Sequence, residues 1–259
     1  MIDYFAVISF VFGAIIGSFL TVCIYRIPRG FNFVRPASRC GKCGFPLAFY
    51  DNIPVVSFLV LRGRCRNCGV QYGSRHVWIE ILTGLTAMYL YQTWGLGFES
   101  IFYFLLASVL IVIAWIDIDF QIIPDQFTLL PWAIGIILAG IFELKGVPWF
   151  VSFKMSLLSS FGGAFLLWLI AFIYQVLTGV EGLGMGDVKL IGFFGAFFGL
   201  QGVWVTIFAG SFLGALWGIV WIIVKGKNKR TPIPFGPFLC LGLVIYILEL
   251  HRFFIDAFM

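Results

Sequence analysis

Long runs of apolar residues, bounded by charges or by Gly and Pro, recur along the whole chain, and a membrane-spanning helix needs about 20 such residues. Eight segments qualify: Tyr4 to Ile27, Val77 to Leu96, Ile101 to Ile116, Phe127 to Leu144, Phe153 to Leu177, Val188 to Leu200, Val203 to Val224, and Phe235 to Phe254. The third and sixth are short, so they are expected to extend into their charged neighbours or to tilt in a thin region. The pattern predicts an all-α polytopic membrane protein of about eight transmembrane helices.

Composition agrees with the pattern. Of 259 residues, 61% are hydrophobic and only 11% charged, against roughly 25% charged in soluble domains. Thirty-one Phe and a mean hydropathy of +1.02 exclude disorder, a collagen-like chain and a disulfide-stapled secreted module. The chain opens Met1-Ile2-Asp3 and runs straight into apolar sequence, with no basic segment or small-residue cleavage site ahead of it. That reads as a retained first span rather than a removed signal peptide.

The net charge of +5 matters through its placement. Arg26, Arg29, Arg35, Arg39, Lys42, Arg62, Arg64, Arg66 and Arg75 lie in the first long loop, and Lys225, Lys227, Lys229 and Arg230 in the last loop on that side. With Lys189 these are fourteen of the 17 basic residues on one face. The rule that basic loops stay inside puts them in the cytoplasm and both termini outside. Basic loops flanking spans imply no nucleic-acid partner. The expected division is a first transmembrane helix over 1–27, a cytoplasmic four-cysteine loop over 28–76, and a multi-helix membrane domain over 77–259. Gly13 and Gly17, and Gly210, Gly214 and Gly218, repeat at four-residue intervals and predict close helix contacts, a matter of packing rather than chemistry.

Cys40-Gly-Lys-Cys43 and Cys65-Arg-Asn-Cys68 are two CxxC pairs with 21 residues between them, the spacing of two knuckles of a tetrahedral zinc site. Gly44 and Gly69 follow the second Cys of each pair and let the backbone curl around a metal. Two disulfides or free thiols are the alternatives, and a reducing cytoplasmic loop favours the metal. Zinc is the expected ion, with iron open to the same ligands. Four protein ligands leave no open position, so its task is structural. Cys23 and Cys240 fall inside apolar segments and read as packing residues.

Asp117, Asp119 and Asp125 follow the third segment and Asp187 precedes the sixth. An ionisable group beside hydrocarbon is costly and points to function. Two separated segments thus bring carboxylates to one depth on the cytoplasmic side, as a paired-aspartate site requires. Asp187 sits in Gly182-Leu-Gly184-Met-Gly186-Asp187-Val-Lys189, where the glycines permit close approach and the carboxylate heads a helix. Asp125, after Pro124 and before a span, reads as a helix cap.

At these residues the chain resembles the bacterial type IV prepilin leader peptidases, GxGD-type membrane aspartyl proteases that also act as N-methyltransferases. The resemblance covers nearly the whole chain. It rests on Gly17-Ser-Phe-Leu-Thr-Val-Cys-Ile-Tyr-Arg26-Ile-Pro28, the CxxC pairs, Asp51-Asn-Ile-Pro54, Arg62-Gly-Arg-Cys65-Arg, and Ser74-Arg75 to Glu80. It continues through Asp117 to Asp125, Gly184-Met-Gly186-Asp187-Val-Lys189 and Pro234-Phe-Gly-Pro237. The resemblance implies that Asp117 and Asp187 are catalytic, with Asp119 and Asp125 in supporting places. It implies cleavage of the basic leader of prepilins or pseudopilins at the cytoplasmic face of the bacterial inner membrane. It also implies methylation of the new N-terminus from S-adenosylmethionine, for which Glu80 is carried over, with the cysteine loop as its surroundings.

Two aspartates hydrolyse a peptide because like charges a few Å apart cannot both ionise, so one is base and the other acid. Two other classes fit the residues less well. A Mg²⁺-dependent lipid-phosphate transferase would use Asp117 and Asp119, but Asp117 to Gln126 holds no Lys or Arg to meet phosphate. A proton-coupled transporter would want its carboxylates at mid-membrane and leaves the cysteines unexplained.

Overall fold

A computed structural model describes residues 3–32, 38–146, 150–180, 182–225 and 233–249. Arg35, Lys227, Lys229 and Arg230 of the orientation count, and the end of the eighth predicted segment, lie outside the described residues. Among these residues the regular structure is helical. Five helices are long and apolar enough to cross a membrane, within Tyr4–Arg29, Phe98–Phe120, Asp125–Leu144, Phe153–Thr178 and Met185–Val224. The chain divides into two compact units, Met1–Val112 and Ile113–Met259.

In the first unit, α1 (Tyr4–Arg26) starts at Asp3, whose carboxylate accepts the N–H groups of Phe5 and Ala6. The predicted glycine face of α1 meets α3 (Arg75–Trp94) at backbone distance. A Cβ on Gly13 would stand 2.6 Å from the Thr83 carbonyl oxygen, and one on Gly17 would stand 2.8 Å from Cα of Glu80. α3 corresponds to the second predicted segment but is less apolar than the five, diluted by Glu80, Gln92 and three threonines. Thr83, Thr86 and Thr93 each return a hydroxyl to the carbonyl four residues back, which satisfies them within the helix. The connection from α1 to α3 holds both CxxC pairs and the short α2 (Val56–Leu61).

The short third segment resolves into the longer α4 (Phe98–Phe120), which extends into its charged end as expected. Asp117 and Asp119 therefore lie in the last turn of a helix and not in a loop after it. Gln121, at φ 54, closes that helix by giving its N–H to the Asp117 carbonyl at 2.9 Å. The second unit continues with α5 (Leu129–Leu144), α6 (Phe153–Thr178), α7 (Met185–Lys225) and α8 (Gly236–Ile247).

The sixth and seventh predicted segments are the two halves of α7, broken at Gly199 with φ 68 and ψ −167, a conformation that only glycine adopts readily. Ser156 and Ser159 of α6 donate their hydroxyls to the Ala196 and Gly195 carbonyls of α7 at 2.8 and 2.9 Å. The Gly210 face packs on α8 as predicted, a Cβ there standing 3.0 Å from the Phe238 carbonyl oxygen. Leu190, Ile191, Phe193 and Phe194 are fully buried and fix the first half of α7 in this unit.

Candidate active site and metal centre

The first unit holds both CxxC pairs. Each CxxC pair sits in a tight loop closed by an antiparallel bridge, Arg39 with Pro46 and Arg64 with Gln71. The two loops repeat the same bonds: Cys40 N–H to Phe45 O and Gly44 N–H to Cys40 O, then Cys65 N–H to Val70 O and Gly69 N–H to Cys65 O, all at 2.9 Å. Gly44 and Gly69 have φ of 69 and 66, so the turn signal read from sequence is met at both. All four sulfurs lie within 4.8 Å of one another, and Cys40 Sγ stands 3.8 Å from Cys68 Sγ. A tetrahedron built on the usual Zn–S bond of ~2.3 Å has edges of ~3.8 Å, whereas a disulfide requires ~2.05 Å. The thiols are unbridged and fit the metal.

The charge state of the cluster suits a cation. The N–H groups of Cys43 and Lys42 pull the Cys40 thiol down to about 6, and that of Phe45 lowers Cys43. The Val70 N–H acts in the same sense on Cys68, but lost hydration and the three neighbouring sulfurs outweigh it, pushing that thiol up to about 11. A divalent metal removes this conflict by taking the place of the remaining protons. Around the sulfurs, Arg66 gives two N–H bonds at 2.8 and 3.0 Å to Oδ1 of buried Asp51 and lies over the Tyr50 ring. Asn67 donates to Cys43 Sγ, linking the knuckles again.

Glu80 lies in α3 and is only 4% exposed. Its Oε2 accepts the N–H of Val55 at 2.8 Å. Val55 is strained, with φ 63 and ψ −49, and Val56 closes a γ-turn over it by donating to the Pro54 carbonyl at 2.6 Å. The described contact of Glu80 is thus to the protein's own backbone.

The second unit brings together the two aspartates singled out in the sequence. Asp117, in the last turn of α4, is 6% exposed, and Asp187, in the first turn of α7, is 8% exposed. Their charges are close enough to act on one another. Oδ2 of Asp117 accepts the N–H of Gly236, the first residue of α8, at 2.9 Å. Each carboxylate therefore lies at a helix N-terminus, where orphan N–H groups and the helix dipole favour negative charge. Ile123 packs between the flanking glycines: a Cβ on Gly186 would stand 2.9 Å from its Cβ, and one on Gly236 would stand 3.0 Å from its Cδ1.

The remaining carboxylates separate. Asp119 is on the exposed side of α4. Asp125 caps no helix; its Oδ1 takes Lys189 Nζ at 2.6 Å, because the turn after Pro124 aims it at the lysine two residues beyond Asp187. Among the described residues, only the four cysteines form a group of three or more ligand side chains close enough for a metal. Sequence reasoning missed Gly236 as a site residue, although Pro234-Phe-Gly-Pro237 was legible as a motif. Cys240, one turn further along α8, is buried within electrostatic reach of both aspartates, although its place in an apolar run reads only as packing.

Residues 11–94 match the Bacterial Peptidase A24 N-terminal domain, and residues 104–219 match the Type IV leader peptidase family. A protein of Aeromonas hydrophila named prepilin leader peptidase/N-methyltransferase is 34% identical over 264 residues, covering 92% of this chain and 88% of its own length. Proteins with the same name from Neisseria gonorrhoeae and Pseudomonas aeruginosa are 35% and 31% identical, covering 91% and 92% of this chain and 88% of their own lengths. No solved structure matches the chain. With both halves matched, and with relatives above 30% identity across most of their length, the chain belongs to the type IV leader peptidase family.

Proposed function

We infer that this chain cleaves the leader peptide of type IV prepilins or pseudopilins at the cytoplasmic membrane face and then N-methylates the new N-terminal residue. The observation that carries the peptidase is the convergence of Asp117 and Asp187, 70 positions apart, as buried carboxylates at two helix N-termini.

The ionised member of the pair takes a proton from water as its oxygen adds to the scissile carbonyl carbon. The protonated member gives its proton to the carbonyl oxygen. The tetrahedral species then collapses, the C–N bond breaks, and the leaving amine takes the proton first removed from water. Burial keeps bulk water from competing with these transfers. A substrate whose apolar segment stays in lipid can lay its basic leader along the anionic cytoplasmic surface.

In this reading the chain comprises a first transmembrane helix over 1–27, a cytoplasmic loop over 28–76 and a membrane peptidase domain over 77–259, in the bacterial inner membrane. Cys40, Cys43, Cys65 and Cys68 hold a structural zinc that fixes the loop. S-adenosylmethionine, when bound, would supply the methyl group for the new N-terminal amine. Glu80 serves the methyl-donor region by holding the Val55 turn.

The test is leader cleavage of a prepilin in membranes, followed by mass spectrometry of the new N-terminus. Wild-type cleavage that is lost in both Asp117→Asn and Asp187→Asn supports the peptidase. Full cleavage by either variant overturns it.

A further inference from the structure

Within the first unit, the short helix α2 presents the wrong side chains for a loop in water. Val56, Leu59 and Val60 fall on one side of it at helical spacing and are 52%, 67% and 70% exposed. The other side is held in place. Phe58 packs edge-on against His76 of α3 and against Tyr72, with ring centroids 5.4 and 6.1 Å away.

Contacts along α1 and α3 set the depth of α2. Gly17 lies nine residues inside Arg26, the basic end of a helix long enough to cross a membrane, or about 13 Å along its axis. Glu80 of α3 sits against Gly17, and its carboxylate takes the Val55 N–H at the head of α2, a reach shorter than that depth. The bond therefore holds the head of α2 on the membrane side of Arg26. Trp78, 63% exposed in the first turn of α3, marks the same level as a membrane interface.

Lipid tolerates a segment that does not span it only where the backbone is satisfied. The N–H groups of Val55, Val56, Ser57, Leu59, Arg62 and Gly63 all have partners in the protein, and Val55 at φ 63 and Arg62 at φ 52 turn the chain sharply at the two ends. Arg62 and Arg64 are exposed and meet no carboxylate among the described residues, Asp51 being taken by Arg66 and Glu80 by Val55. An apolar face rimmed by unpaired guanidinium groups matches an acyl layer beneath phosphate.

We propose that α2 is an interfacial foot of the cysteine loop, with Val56, Leu59 and Val60 seated among acyl chains and Arg62 and Arg64 on the phosphates of anionic phospholipids. The foot fixes the knuckles against the bilayer. It goes beyond the peptidase and methyltransferase reading and rests only on the chain's crossing of a membrane.

The test uses the full zinc-loaded chain in nanodiscs of mixed phosphatidylcholine and phosphatidylglycerol, each radiolabelled in turn, with a photoreactive benzoylphenylalanine in place of Leu59, Val60, Lys42 or Phe208. One zinc per chain in each variant confirms that the loop is folded. Irradiation should join lipid to positions 59 and 60 about as strongly as to position 208, on the exposed second half of α7, and at least about tenfold more than to position 42 in the first knuckle. Adding Arg62→Gln or Arg64→Gln to the Leu59 variant should lower its preference for phosphatidylglycerol by about fivefold each. Lipid at 208 but not at 59 or 60, labelling at 42 equal to theirs, or adducts at 59 and 60 with a second copy or an added prepilin in place of lipid overturn the foot and leave the spans standing. An unchanged preference in both arginine variants overturns the headgroup contact. No lipid adduct at any position overturns the membrane reading with it. Leader cleavage by the same samples is read separately, so failure of the foot is distinguishable from failure of the peptidase.

Discussion

The backbone N–H of Gly236 donates to Oδ2 of Asp117 across 2.9 Å, and a Cβ placed on that glycine would stand 2.8 Å from the same oxygen. The residue that orients one carboxylate of the proposed pair is thus required to have no side chain. Gly236→Ala should move Asp117 by several tenths of an ångström and lower the rate of leader cleavage about a hundredfold, the usual cost of a small misplacement of reacting groups. Cleavage kinetics in membranes check this, with a circular dichroism spectrum to show that the helices persist.

Groups that act as a unit fail as a unit. Asp117→Asn and Asp187→Asn are each expected to reduce cleavage by about a thousandfold or more, and the double variant should be little worse than either single. Losses that multiply in the double variant would show independent roles and contradict the shared mechanism.

Asp125 and Lys189 should matter far less. Their contact is short, but Asp125 is largely exposed, so the pair contributes at most about 1 kcal/mol. A double-mutant cycle on Asp125→Ala and Lys189→Ala, read by cleavage rate, should give a few-fold effect for each and a small coupling.

Metal uptake by the four cysteines should release fewer than four protons at pH 7.5. Cys40, held down at about 6, is already a thiolate there, whereas Cys68, pushed up to about 11, still carries its proton. Release should rise toward four as the pH falls through 6 and shrink as it rises toward 11, and metal affinity should fall with pH in parallel. Calorimetry in buffers of different ionisation enthalpy counts the protons. Brief chelation should leave leader cleavage running, because the proposed reaction uses the two carboxylates alone and the ligand cluster among the described residues is that of the four cysteines.

Glu80 and Val55 can be separated by a rescue experiment. Glu80→Ala orphans a buried N–H in a strained turn and should destabilise the first unit by roughly 1–3 kcal/mol. Val55→Gly relieves the positive φ and should restore part of that loss, as read by the protease resistance of the loop.

The helices and the metal knuckles were legible in the chain because they follow from local pattern. Apolar runs mark α1 and α3 to α8, and each knuckle is written within eight residues around Cys40 and Cys65. Asp187 was legible for a similar reason, its glycines being adjacent in sequence. Gly236 was not, because its meaning depends on Asp117, 119 positions away, and no local signal reports a clash that only the fold creates. Asp125 misled for the converse reason: Pro124 before a helix suggests a cap, and the nearby Lys189 of α7 provided a stronger partner. The boundary between the sixth and seventh predicted segments is met at one residue, Gly199, whose non-helical backbone separates the two halves of α7.

That bend also divides the rates at which α7 can accept change over generations. Before Gly199, Leu190, Ile191, Phe193, Phe194 and Ala196 are wholly enclosed, so a changed volume there shifts the turn that carries Asp187. Beyond it, Phe208, Phe212, Ile219 and Ile223 are exposed, and one oily side chain serves as well as another. A saturation library scored for leader cleavage should therefore show two substitution regimes along α7, strict for its first fourteen residues and permissive along most of the rest, with the break at the glycine.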